Sequence, residues 1–121
     1  MKKVLIAAAM LAFANTQAVA KPLECRITDK RQCSPNEECR SIPSKVWLLI
    51  DKETRTYSRC DDSGCDTRDA LFKHAGFWTS IDVPGTSSFV KLSDGGDFVE
   101  VVSLNSTVLI GYGKCSPVTV P

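Results

Sequence analysis

A small all-β domain, an antiparallel barrel or sandwich of about six or seven strands stapled by disulfides, is what this 121-residue sequence predicts. Three observations carry that expectation. Short runs rich in β-branched and aromatic residues recur along the chain, turn residues such as Asp94-Gly95-Gly96-Asp97 separate them, and six cysteines are spread through a length that allows one domain. Residues 21–121 are read as that single domain, and residues 1–20 as a separate export signal.

The first element justifies the separation. Lys2 and Lys3 precede the apolar run Val4 to Phe13, and a polar stretch closes on Ala18-Val19-Ala20, which is the charged start, apolar core and small-residue cleavage site of a secretory signal peptide. The run falls short of the ~20 apolar residues that cross a bilayer, so no stable membrane insertion is expected after cleavage before Lys21. The twin lysines and alanine-rich core look like a bacterial signal. They point to the periplasm or the cell exterior. Removing residues 1–20 leaves 13 basic against 14 acidic side chains. That balance offers no long-range attraction to phosphate backbones, and nucleic acid is excluded as a partner.

The strands follow in order. Leu23 to Ile27 opens the domain, and Val46 to Ile50 is bounded by Pro43 and by Asp51-Lys52-Glu53. Arg55 to Cys60 centres on Tyr57. Thr67 or Asp69 is positioned to cap a short helix through Ala70, Leu71, Phe72, Lys73, His74 and Ala75, with Gly76 as its stop. Phe77, Thr79, Ile81 and Val83 then share one face of a strand, with Trp78, Ser80 and Asp82 on the other. Phe89 to Leu92, Phe98 to Leu104 and Thr107 to Tyr112 form a three-stranded meander joined by Gly-, Asp- and Asn-rich turns.

In an oxidising compartment all six cysteines, Cys25, Cys33, Cys39, Cys60, Cys65 and Cys115, read as disulfide partners. Cys60 and Cys65 enclose Asp61-Asp62-Ser63-Gly64, whose glycine lets the backbone reverse, and Cys33 and Cys39 frame a similar short loop. Cys25 then joins Cys115, tying the domain's start to its end. A second scheme stands beside this one, with Cys25 bridged to Cys33 or Cys39 inside the N-terminal arm. A zinc site would need reduced thiols in Cys-x2-Cys pairs or histidine ligands, and the chain has one His and no such pair. No metal and no cofactor are expected.

Asp62-Ser63-Gly64 matches the tripeptide around the nucleophile of chymotrypsin-like proteases. The only imidazole, His74, follows the serine, whereas that family places its histidine first, so no catalytic residue is assigned. Asp61, Asp62, Asp66 and Asp69 crowd around Cys65 without the spacing of an EF-hand loop. Asp61, Asp62 and Asp66 are therefore candidate binding residues on a cysteine-clamped acidic loop. Trp78, on the outward face of its strand, is a candidate aromatic anchor. Together these features predict a non-enzymatic protein that binds a protein or cell-envelope component, for instance by placing the acidic loop in the basic cleft of an extracytoplasmic hydrolase. The alternatives are a small envelope-polysaccharide hydrolase using paired carboxylates and a structural component of an envelope assembly. Size and β pattern are similar to the small periplasmic inhibitors of C-type lysozyme. Those proteins follow a Ser-Gly pair closely with Tyr, whereas Ser63-Gly64 runs on to Cys65 and Asp66.

Overall fold

The computed structural model describes residues 21–118, so the expected signal peptide at 1–20 lies outside the described residues. The chain forms β1 (Leu23–Cys33), β2 (Arg40–Ile42), β3 (Trp47–Asp51), β4 (Thr56–Asp61), β5 (Gly64–Asp69), β6 (Leu71–Ala75), β7 (Trp78–Asp82), β8 (Ser88–Ser93), β9 (Asp97–Leu104) and β10 (Thr107–Pro117). All pairings are antiparallel, in the order β5-β4-β3-β1-β10-β9-β8-β7-β6, with β2 also on β1.

Ten segments exceed the expected six or seven because two walls are interrupted strands. β10 occupies one edge of β1 along its whole length, so β2 and β3 share the other edge, β3 against Leu23–Arg26 and β2 against Lys30–Gln32. Pro43 has no N–H to donate to a ladder, and the chain breaks there. The break lies near the irregularity in β1 between Ile27 and Asp29. The second interrupted wall is β5 and β6. Ala70 between them is buried, and its N–H donates to the Arg55 carbonyl at 3.0 Å, extending the β4 ladder one residue before the chain moves over to pair with β7. Counted as walls, the segments make eight strands. That even number lets each wall run antiparallel to its neighbours, and β10 pairing on β1 completes a nearly closed barrel, with unpaired edges at the seam beside β5 and β6 and along β2, which pairs with β1 alone.

The expected helix is a strand. From Asp66 to His74 the register sets Arg68 opposite Tyr57, Phe72 opposite Ile81 and His74 opposite Thr79, all on the inner side, while Leu71 and Lys73 turn outward. A period of two had been masked by good helix formers. A helix of at most two turns is marginal alone, whereas β4 and β7 each offer a ladder of hydrogen bonds. Gly76, at φ 64°, makes the turn between β6 and β7 instead of stopping a helix. Phe77 sits in that turn and is 77% exposed, so it leaves the buried face expected for it, while Thr79, Ile81 and Val83 stay in.

Leu48, Ile50, Ile81, Val83, Val90, Leu92 and Phe98 fill the barrel interior with Cys25 and Ala70. The bridges are Cys25–Cys115, Cys33–Cys39 and Cys60–Cys65, the first of the two schemes, and no described cysteine is free. Three disulfides mark an oxidising, extracytoplasmic environment.

Candidate functional site

The acidic loop becomes the turn of the β4–β5 hairpin. Cys60 and Cys65 are directly opposed in register, so their bridge clamps the hairpin one pair below its tip. Within the turn, Asp61 Oδ1 accepts hydrogen bonds from the Ser63 hydroxyl at 2.6 Å and the Ser63 N–H at 2.8 Å. Those two donors hold the Asp61 carboxyl below its usual range. Asp62 stands exposed at the tip and makes no ion pair among the described residues.

The hairpin tip borders a cleft. Where β2 and β3 are interrupted, Arg26, Ile27, Ser44, Lys45, Val46 and Trp47 line a cavity of about 420 Å³ together with Asp62. A second depression of about 330 Å³ shares Lys45, Val46 and Asp62 and adds Asp61 and Ser63. The Arg26 guanidinium lies 4.8 Å from the Trp47 ring centre and bonds Glu24 at 2.7 Å. The cleft therefore gathers cationic and aromatic side chains beside the acidic hairpin tip.

The structure does not gather all the expected binding residues here. Asp66 lies opposite Arg59, on the other face of the hairpin from Cys65, and pairs with Arg68 at 3.2 Å. Trp78 is on β7, 37% exposed, with the Lys91 ammonium 5.1 Å from its ring centre. His74 Nδ1 is 2.9 Å from the Thr79 hydroxyl. Among the described residues no three or more acidic, histidine or cysteine side chains converge as metal ligands.

A second polar cluster went unread in the sequence. Glu100 on β9, 1% exposed, accepts the Tyr57 hydroxyl at 2.8 Å and the Arg59 guanidinium at 2.5 Å, both from β4 on the far wall of the barrel. Burial raises the Tyr57 pKa, and the Glu100 charge and hydrogen bond raise it further. Burial opposes the charged form of Arg59, but the charges and hydrogen bonds of Glu100 and Tyr57 together outweigh it, so that pKa is also raised. Lys30 on β1 is lowered, by burial first and then by Arg59, against the pull of Glu100. The one available signal was the alternation Phe98, Glu100, Val102, which puts a lone carboxylate on a core face.

Comparison with protein-family models, curated proteins and solved structures returned no match to this chain.

Proposed function

We propose that this chain is an exported, periplasmic recognition domain without catalytic activity, which presents its β4–β5 hairpin and the adjoining cleft to an extracytoplasmic hydrolase with a cationic cleft. The observation that carries the reading is the prearranged tip. The disulfide and the Asp61–Ser63 bonds order it before any partner arrives, so little conformational entropy remains to be lost on binding. Asp62 is the free charge at its end, and Trp47 and Val46 supply apolar surface beside it. Long-range attraction between an acidic tip and a basic cleft acts mainly on the rate of encounter. Paired-carboxylate hydrolysis is less well supported, because a general acid needs a raised pKa and Asp61 is held in the opposite direction.

The test is inhibition of a C-type lysozyme, chosen as a basic muramidase, by the oxidised chain from Lys21 onward. Inhibition should weaken about tenfold or more in the Asp61→Asn/Asp62→Asn double variant and with rising salt. Asp66→Asn should leave it unchanged. No inhibition by the parent chain, or inhibition indifferent to the double variant, would remove the hairpin from the role.

A further inference from the structure

The outer face of β8, β9 and β10 departs from the usual arrangement in which a small barrel turns polar side chains to water. Phe98, Glu100 and Val102 point inward along β9, so Val99 and Val101 point out. The register places Phe89, Val101 and Ile110 in one row that continues to Arg31 on β1. The next row is Lys91, Val99 and Tyr112, continuing to Asp29. Phe89 and Tyr112 are 40% and 44% exposed. The result is a contiguous apolar patch with charges at its ends, the composition that marks an interface on a soluble domain.

We propose that this face packs on the same face of a second copy, about a two-fold axis that runs parallel to the strands between β9 and β10. The residue order within each row selects this occupant. Such an axis reverses the order of strands and keeps each row level. It sets Lys91 of one copy over Asp29 of the other, Phe89 over Arg31, Val101 over Ile110 and Val99 over Tyr112. Opposite charges and cation–aromatic pairs are each formed twice. A depression of about 390 Å³ lined by Asp29, Arg31 and Tyr112 receives the arriving Lys91 and Phe89. Sliding the copies by one row would put Lys91 over Arg31, so the charges also select the register. β3 lies between β4 and β1, the last strand of this face, so the β4–β5 hairpin is outside the rows that meet. The assembly is bivalent with respect to that hairpin.

Sedimentation velocity of the oxidised chain from Lys21 onward, from micromolar to sub-millimolar concentration, tests the assembly. The parent chain should sediment as a dimer, and Val101→Lys as a monomer with unchanged circular dichroism. Asp29→Lys and Lys91→Asp should each weaken the dimer by about tenfold, and the two together should restore it. These two positions are on the surface, so the exchange keeps its force if Val101→Lys fails to fold. A parent chain that stays monomeric throughout, or a charge exchange that does not recover the dimer, overturns the proposal. Both results are independent of lysozyme inhibition.

Discussion

Replacing Glu100 with Ala removes the carboxylate that joins opposite walls of the barrel. It leaves the Tyr57 hydroxyl without its partner in a residue only 3% exposed, and an orphaned buried hydroxyl costs about 1–3 kcal/mol. It also strips the counter-charge from Arg59. Breaking a buried ion pair from one side costs about 3–5 kcal/mol, but the Arg59 side chain is 31% exposed and recovers part of its hydration, which lowers that contribution. The two losses share one oxygen and do not add, so about 3 kcal/mol is expected. For a domain near 100 residues that corresponds to a fall in Tm of roughly 12–24 °C. Urea and thermal melts of the oxidised protein would measure it. A companion variant, Arg59→Met with Glu100→Leu, exchanges the ion pair for apolar groups and should regain the part of the loss that comes from Arg59, the Tyr57 hydroxyl remaining without its partner. A cost below about 1 kcal/mol for Glu100→Ala, or a double variant no better than the single, would refute the account of a buried network joining the two walls.

Other outcomes follow from the same structure. Removing Cys25–Cys115, which spans 90 positions, should cost about 4–5 kcal/mol on the chain-entropy model, against ~2 for Cys60–Cys65 at a separation of 5, as read by non-reducing urea melts of each double Ala variant. Gly113→Ala should fail to fold or lose about 3 kcal/mol or more. A Cβ there would lie 1.8 Å from the Arg26 carbonyl oxygen and 2.7 Å from Phe98, so the β1–β10 ladder must open. Stability should fall as pH rises past about 10. The Tyr57 pKa is higher in the folded chain than the ordinary value near 10, so the unfolded chain loses its proton first and is favoured. Lys30, lowered on folding, acts oppositely below about 10.4, and Tyr57→Phe should reduce the alkaline loss measured by urea melts at pH 9 and 11.

Where the chain bears one clear signal per element, sequence and structure agree. The Asp94-Gly95-Gly96-Asp97 and Asn105-Ser106 turns join the meander as their chemistry requires, with Gly96 at φ 95° and Asn105 at φ 55°. The Cys60–Cys65 spacing was legible because a four-residue turn can close that bridge and little else. Strand number was not legible, because it depends on which partner a segment finds. Ala70 looks like the interior of a helix, yet it is the residue at which one strand leaves β4 for β7. The candidate site was half legible for a related reason. Asp61 and Asp62 are local to one turn, whereas Arg26, Lys45 and Trp47 join them only because Pro43 breaks the second wall near the irregularity in β1.

The sequence Phe98-Val99-Glu100-Val101-Val102 shows how one residue ties the inside of this barrel to its outside. Four apolar residues and one acid fit a strand of either orientation, and a simple polarity rule would send Glu100 to water and Val99 and Val101 to the core. The side chains of Phe98 and Val102 decide otherwise, since they share Glu100's face and are among the buried residues. Once Glu100 is inside, it must be satisfied, and Tyr57 and Arg59 on the opposite wall do so. The same choice forces two valines outward beside Ile110 and Phe89. The buried network and the apolar outer patch are thus one structural decision seen from two sides. Glu100→Leu alone should weaken the network and leave the outer patch in place. A variant that instead turned β9 over would expose Phe98, and the loss of Phe98's packing against the core would show in near-ultraviolet circular dichroism.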